Sequence, residues 1–269
     1  MASYIRHPLT KVPEITVYFW IIKILTTAMG ESTSDYLVHL INPIFAVAIG
    51  GIGLAIALML QFVVRRYIAW IYWLAVVMVA VFGTMAADVL HIGLGIPYLV
   101  STIFFAISLA VIFALWYAVE KTLSIHSIYN PRREIFYWAT VMATFALGTA
   151  AGDMTAITLG LGYFSSGVMF GILIALVAIS HYVLKTYLGI EHRRLTSNAV
   201  LAFWLAYILT RPLGASFADW LGKAQGLGGL GWGDAQVSIG LAILIIGFVG
   251  YLTFSRKDVE SECVADASL

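Results

Sequence analysis

Residues 19–35 read FWIIKILTTAMGESTSD, and the spacing within this stretch decides the fold. Its tryptophan is followed ten positions later by a glycine and fifteen positions later by an aspartate. The same spacing returns three times, and an aromatic residue precedes each tryptophan. The four copies are Trp20–Gly30–Asp35, Trp73–Gly83–Asp88, Trp138–Gly148–Asp153 and Trp204–Gly214–Asp219. Self-similarity of this kind indicates a chain built from four copies of one structural unit.

The composition predicts an integral membrane protein. Of the 269 residues, 61% are hydrophobic and 11% are charged, and the mean hydropathy is +0.94. A soluble domain cannot bury that much apolar surface, so we expect a lipid bilayer around the chain. The net charge of +1 and the lack of a basic patch with interleaved aromatics argue against nucleic-acid binding. The single cysteine, Cys263, allows no internal disulfide and disfavours a thiolate metal site.

The repeat length sets the number of helices. Successive tryptophans are about 53 to 66 residues apart, which accommodates two spanning helices of about 20 residues with their turns. We therefore predict an all-α polytopic membrane protein: eight transmembrane helices, as four tandem parallel helical hairpins in a pseudo-fourfold arrangement. Residues 1–269 form one membrane domain. The predicted helices cover 13–35, 43–64, 68–90, 98–119, 134–155, 163–186, 198–220 and 234–254. The repeats cover about 11–67, 68–130, 131–197 and 198–255, and a polar tail follows at 256–269.

The basic residues predict the orientation. All fifteen Lys and Arg except Lys23, Arg211 and Lys223 lie at the termini or between hairpins. The positive-inside rule places those regions, and so both termini, in the cytoplasm. The aspartate ends of the first helix of each hairpin then lie toward the outer side.

Each repeat carries its polar residues on one helical stripe. Counting the tryptophan as position 0, positions 7, 11 and 15 share its face. The aspartate, at position 15, lies about 22 Å along the axis from the tryptophan. Glu31, at position 11, and Arg211, at position 7, occupy the same stripe. Polar groups at that depth avoid lipid, so four stripes facing a common axis predict an acid-lined centre. We expect Arg211 to pair with Glu31, as a functional or a purely structural ion pair.

These residues form the candidate site. Ionisable groups inside a membrane mark ion or substrate paths. The predicted cation-binding or translocation residues are Glu31, Asp35, Asp88, Asp153, Asp219, Arg211 and Lys23. Helical spacings of three and four also bring together a predicted metal set: Glu31, Asp35, His39, Asp88 and His91. Oxygen and imidazole ligands suit Mn²⁺, Zn²⁺, Fe²⁺ or Mg²⁺. A proton relay fits the same groups, and helix capping or contact with water is an alternative reading of the aspartates.

The remaining repeated residues have structural interpretations. The glycine of each copy lies to one side of the stripe, where a small residue allows close helix packing. The tryptophans are interpreted as anchors at the membrane interface, with gating or binding as the alternative. The Gly-rich segments after the later aspartates are interpreted as tight turns between helices, although exposed backbone there could also line a substrate path.

Three segments carry a resemblance to a known family: Lys11-Val-Pro-Glu14 leading into Trp20, Gly30-Glu31-Ser-Thr-Ser-Asp35, and Thr210-Arg211-Pro212-Leu-Gly214. Over residues 11–255 the chain resembles uncharacterised bacterial inner-membrane proteins of four tandem two-helix repeats of unknown function. The resemblance implies a multi-pass protein of the bacterial inner membrane and supplies no activity.

The preferred function is therefore taken from the residues themselves: a transporter or channel for a small cation, such as a divalent metal ion, or for protons. An integral membrane metal-dependent hydrolase using Glu31, Asp35 and His39 is an alternative. A non-transporting structural or sensory membrane protein is another. Enzymatic activity is the less favoured reading, because no nucleophile motif or phosphate-binding loop is present in the sequence. The oligomeric state stays open.

Overall fold

The computed structural model describes residues 10–187 and 192–259. Cys263 and most of the predicted tail lie outside these residues. The described part of the chain is all-helical and contains no strand. Its eight long helices are α1 (Val17–Leu40), α2 (Pro43–Val63), α3 (Ala69–Asp88), α4 (Tyr98–Glu120), α5 (Pro131–Asp153), α6 (Tyr163–Tyr187), α7 (His192–Gly222) and α8 (Asp234–Ser255). All of these except α1 are long and apolar enough to cross a membrane.

The helix boundaries follow from local sequence signals. Asn42 and Asn130 cap α2 and α5 with their side chains, and a proline occupies the first turn of each helix. Glycines with positive φ, at Gly95 and Gly160, allow the chain to turn after the second and third aspartates. These turns confirm the interpretation of the Gly-rich segments as helix connections.

Asp88 and Asp153 are each followed by one π-helical turn, Val89–Gly93 and Met154–Thr158. Such wide turns re-aim the side chains beside them and are frequent at functional sites. The two central repeats therefore share one local geometry at the position of their aspartates.

The odd-numbered helices form a closed ring. Helix α1 packs against α3, α3 against α5, α5 against α7, and α7 against α1. The even-numbered helices lie outside this ring. Only 11–22% of the residues in their most apolar stretch are buried, against 56–67% for α3, α5 and α7. The ring therefore forms the core of the protein, and the outer helices present apolar side chains outward.

Each outer helix packs mainly on the repeat that follows its own. Helices α2, α4 and α6 contact α3, α5 and α7, and α8 closes the circle on α1. The contact between α1 and α2 of the same repeat is smaller than that between α2 and α3. Consecutive helices are thus joined by a turn, whereas most of the helix packing joins neighbouring repeats.

One aromatic contact recurs at the start of the ring helices. The aromatic residue before each tryptophan packs on the tryptophan of the next repeat, with ring centroids 5.7–6.3 Å apart. The pairs are Phe19–Trp73, Tyr72–Trp138, Tyr137–Trp204 and Phe203–Trp20. We call this the tryptophan end of the ring. The opposite end, which carries Asp35, Asp88, Asp153 and Asp219, is the aspartate end.

The repeated glycines supply a second recurring contact. A Cβ atom on any of them would collide with the position-7 residue of the next repeat. The pairs are Gly30–Ala80, Gly83–Phe145, Gly148–Arg211 and Gly214–Thr27. The predicted packing role of these glycines is confirmed, since they let neighbouring ring helices approach closely.

The segment before α1 lies across the tryptophan end. Lys11 and Val12 are buried, and the backbone of this segment bonds to Ile128, Tyr67 and Asp258. The Lys11 amine pairs with the buried Glu134 carboxylate and donates to the Phe62 carbonyl. The segment therefore joins the α2–α3 connection, the α4–α5 connection and the residues after α8 at this end of the ring.

Candidate functional site

The interior of the ring is built in layers of equivalent repeat positions. Position 3 contributes Lys23, Val76, Val141 and Tyr207, all 0–1% exposed. Position 7 contributes Thr27, Ala80, Phe145 and Arg211, all 0% exposed, and position 11 contributes Glu31, Thr84, Thr149 and Ala215, at 0–3%. The predicted polar stripe therefore faces the interior, and side chains fill the axis of the ring.

Arg211 links all four ring helices at the centre of this stack. Its Nη2 atom lies 2.7 Å from the Glu31 carboxylate of α1 and 2.7 Å from the Thr149 hydroxyl of α5. The same nitrogen donates to the Thr84 hydroxyl of α3, and Nη1 donates to the Thr27 carbonyl at 3.2 Å. The expected pairing of Arg211 with Glu31 is present. Thr84 and Thr149 occupy, in repeats two and three, the position that Glu31 occupies in repeat one.

Three carboxyl groups meet just beyond this ion pair. Glu31, Asp153 and Asp219 each place an oxygen within 4.8 Å of the others. Glu31 and Asp219 are buried, and Asp153 is half-buried. We call these three residues the acid cluster. Asp88 is half-buried and ends α3 at the equivalent repeat position, at the same end of the ring.

Lys223, in the turn after α7, supplies the second positive group at the aspartate end. Its amine pairs with Asp35 and lies 3.8 Å from the Asp219 carboxylate. Partial burial opposes its charge, but the neighbouring carboxylates of Asp35 and Asp219 prevail and raise the pKa of Lys223 above its ordinary value. Lys223 therefore stays protonated at neutral pH and neutralises one carboxylate.

The charges at this end do not balance. Arg211 and Lys223 face the acid cluster together with Asp35 and Asp88. Two basic groups thus stand against five carboxyl groups, four of which come from the repeated aspartate position. Close carboxylates in poorly hydrated surroundings repel one another unless protons or cations lie between them.

The two histidines of the predicted metal set lie elsewhere. The exposed His39 ring bonds through Nδ1 to the carbonyl of Asp35 at 2.6 Å. His91 is buried in its own turn, where it bonds to the Ile96 carbonyl and packs against Tyr98, with the ring centroids 4.1 Å apart. Within the described ranges, the group of potential metal ligands that forms is the acid cluster, without histidine. Of the five predicted metal ligands, the structure brings Glu31 into the acid cluster, whereas His39 and His91 lie apart from it. His39, which the alternative hydrolase site requires, lies outside the acid cluster.

Lys23 and the tryptophans also differ from expectation. Lys23 lies in the ring interior, but on the tryptophan side of Arg211 and away from the acid cluster. Its amine is 4.0 and 4.2 Å from the ring centroids of Phe145 and Tyr207. Trp73, Trp138 and Trp204 are 1–4% exposed inside the ring. Their interpretation as anchors at the lipid interface is wrong, because each completes an aromatic contact between repeats.

Four residues that contact Arg211 or Lys23 in the ring interior were not among the predicted site residues: Thr84, Thr149, Phe145 and Tyr207. Each occupies the same repeat position as a charged residue that the sequence singled out. A comparison of the four copies that selected uncharged side chains at these positions, as well as ionisable ones, would have found them.

The comparison with known families agrees with this repeated architecture. Four tandem segments, residues 18–67, 71–122, 136–187 and 202–258, match the family described as Repeat of Unknown Function (DUF347). The chain belongs to the DUF347 repeat family. Each matched segment contains most of one ring helix and the whole outer helix that follows it. No curated protein and no solved structure matches the chain.

Membership confirms the expected four-repeat family and assigns no activity. The DUF347 segments begin shortly before the repeated tryptophans and include every residue of the acid cluster. The function therefore has to be inferred from the chemistry of the ring interior.

Proposed function

We propose that this DUF347 protein is a membrane transporter of a small cation, which binds among the carboxyl groups at the aspartate end of the ring. The observation that carries the proposal is the charge imbalance: five carboxyl groups share two basic partners, Arg211 and Lys223. A bound cation or protons would relieve the repulsion among them. Ionisable groups kept at such a cost inside a membrane protein mark ion paths.

The ligand chemistry favours a hard cation. The acid cluster offers only carboxylate oxygens, from Glu31, Asp153 and Asp219. Mg²⁺ and Mn²⁺ prefer such oxygen ligands, whereas Zn²⁺ and Fe²⁺ more often take histidine or thiolate. Protons would neutralise the same groups and are the second candidate species.

Arg211 provides a means of coupling binding to movement. The Glu31 carboxylate belongs to the acid cluster and is also the ionic partner of Arg211. A cation bound to Glu31 competes with the guanidinium for that carboxylate. Because Arg211 contacts residues from all the other ring helices, weakening its hold on Glu31 loosens the ring at its centre. Cation binding would thereby favour a rearranged ring that opens the path.

The proposed transporter has all eight helices across the bilayer, as four parallel hairpins around a pseudo-fourfold axis along the membrane normal. Helix α1 crosses as well, because its charged residues Lys23 and Glu31 face the ring interior. The positive-inside rule places both termini and the tryptophan end in the cytoplasm of a bacterial inner membrane. Reporter fusions to the C-terminus that read cytoplasmic and periplasmic location test this orientation directly.

Binding of Mn²⁺ to the purified chain, followed by its electron paramagnetic resonance signal, tests the cation site. Asp153→Asn and Asp219→Asn each remove one charged ligand and are expected to weaken binding by about tenfold or more. Glu120→Gln is the matched control, because Glu120 pairs with Arg133 in a different part of the chain.

Uptake of Mn²⁺ into proteoliposomes then tests transport. The two aspartate variants should lose uptake in parallel with binding, while Glu120→Gln behaves as wild type. Equal Mn²⁺ affinity and uptake in all four proteins would show that the acid cluster is not the cation site.

A further inference from the structure

Lys23 carries an amine that its surroundings do not pair. The residue is 1% exposed, and its Nζ atom has no hydrogen-bond partner among the residues that the structure describes. The amine lies between the rings of Phe145 and Tyr207, 4.0 and 4.2 Å from their centroids. The Tyr207 hydroxyl is likewise buried without a partner within the described part of the chain.

A permanent charge is poorly accommodated there. Aromatic faces attract an ammonium group, but they replace only part of the hydration that it loses on burial. The Arg211 guanidinium lies over the same Phe145 ring, 5.4 Å from its centroid, and its positive charge repels an ammonium group. Arg211 has the Glu31 carboxylate as its partner, whereas Lys23 has no acidic partner among the described residues.

Other residues of this layer in the described chain supply no compensating charge. In the layer of Lys23, α3 and α5 contribute Val76 and Val141, and α7 contributes the neutral phenol of Tyr207. A lysine can discharge itself by releasing a proton, whereas an arginine cannot. Lys23, which can exist in two charge states, therefore lies one layer away from Arg211, which stays charged.

We propose that the Lys23 amine is a proton-binding site at the centre of the ring, and that a proton bound there opposes a cation bound at the acid cluster. Binding converts the amine to an ammonium group by adding one proton and changes no other bond. The eight residues from Lys23 to Glu31 separate the two sites by about 12 Å along α1. At an effective dielectric constant of about 20, two unit charges at that distance weaken each other's binding by about tenfold.

The coupling gives the transporter an exchange of protons for cations. A proton on Lys23 favours release of the cation, and loss of that proton favours cation binding. The proton site itself stands on the geometry of Lys23, whereas its role in exchange rests on the proposed cation transport. The two can therefore fail separately.

Nuclear magnetic resonance of the full-length chain in lipid nanodiscs, with ¹³C and ¹⁵N in the lysine side chains, tests the proton site. The Lys23 signal is assigned by its loss in Lys23→Met, or by its shift in Phe145→Leu if the first variant does not fold. We expect this signal to change between its ammonium and amine positions within a pH range in which Lys223, paired with the Asp35 carboxylate, remains ammonium. A Lys23 signal that stays in one form throughout that range would overturn the proposal.

The exchange is tested by titrating Mn²⁺ into wild type and Lys23→Met across the same pH range. Protonation of the carboxyl groups weakens binding in both proteins. Wild type should show an additional loss of about tenfold at the Lys23 transition, and Lys23→Met should not. Identical pH dependence in the two proteins would overturn the coupling. If neither protein binds Mn²⁺, the proposed cation site fails, while the lysine spectra still decide whether Lys23 binds a proton.

Discussion

Replacing Gly214 by alanine should open one seam of the ring. A Cβ atom at this position would collide with the Thr27 hydroxyl and lie 2.9 Å from the backbone nitrogen of Ala28. A side chain can turn away, but the backbone of α1 can move only if the two helices separate. The matched control is Gly247→Ala on α8, where a Cβ atom would meet nothing within 4 Å.

The two substitutions share every term except this collision. Alanine is favoured over glycine within a helix by about 1 kcal/mol, so Gly247→Ala should stabilise the protein by up to that amount. Overpacking of a close contact costs about 1–3 kcal/mol. With a backbone atom in the way we take the upper value, which leaves Gly214→Ala destabilised by about 2 kcal/mol. The expected difference between the variants is about 3 kcal/mol.

Equilibrium unfolding in mixed detergent micelles measures this difference. Tryptophan fluorescence reports it well, because Trp73, Trp138 and Trp204 lie inside the ring. Gly83→Ala should be milder than Gly214→Ala, since its closest contact is the Phe145 side chain and the nearest backbone atom is 3.7 Å away. Equal stability of Gly214→Ala and Gly247→Ala would refute the close approach of α7 to α1.

Three further predictions concern ionisable side chains. Arg211→Gln leaves Glu31 buried without its partner and should cost about 3–5 kcal/mol in unfolding free energy, much of which Arg211→Gln combined with Glu31→Gln should restore. Lys11→Met leaves the Glu134 carboxylate buried without its partner at the tryptophan end, so the detergent unfolding midpoint should fall for the same reason. Burial and the Asp258 carboxylate raise the pKa of Tyr67 above its ordinary value of about 10. The unfolded chain then releases this proton first, so stability should fall as pH rises above about 10, and less steeply in Tyr67→Phe, as measured by alkaline unfolding.

The ring helices could be predicted from sequence because two independent signals coincide on them. The apolar runs gave their extent: residues 68–90 were predicted for the helix that spans Ala69–Asp88 and its π-helical turn. The constant spacing from tryptophan to aspartate gave the inward face, since position 7, 11 and 15 residues share a stripe. The pairing of Arg211 with Glu31 followed, because a buried arginine needs an anion and the stripe offered one at the next turn.

The packing partners of the outer helices could not be predicted in the same way. These helices are apolar on all sides, so their sequences do not distinguish a face toward lipid from a face toward α3 or α1. Consecutive helices joined by a short turn were taken as packed hairpins, yet most of the contact of α2 is with the following repeat. The position of the histidine side chains could not be predicted from helical spacing either. Spacing places His39 beside Asp35 on one helix, but the bond that it makes is to a backbone carbonyl and not to the acid cluster.

The head-to-tail closure of the ring has a consequence for how such a chain can be divided. A single repeat has its main packing surfaces on two different neighbours, so it cannot cover both of them alone. Two consecutive repeats leave one surface open at each end, and those surfaces are complementary. A protein severed in the connection between α4 and α5 should therefore reassemble from two co-expressed fragments. The same complementarity would let two copies of a half-length ancestor assemble the whole circle before any gene fusion joined them.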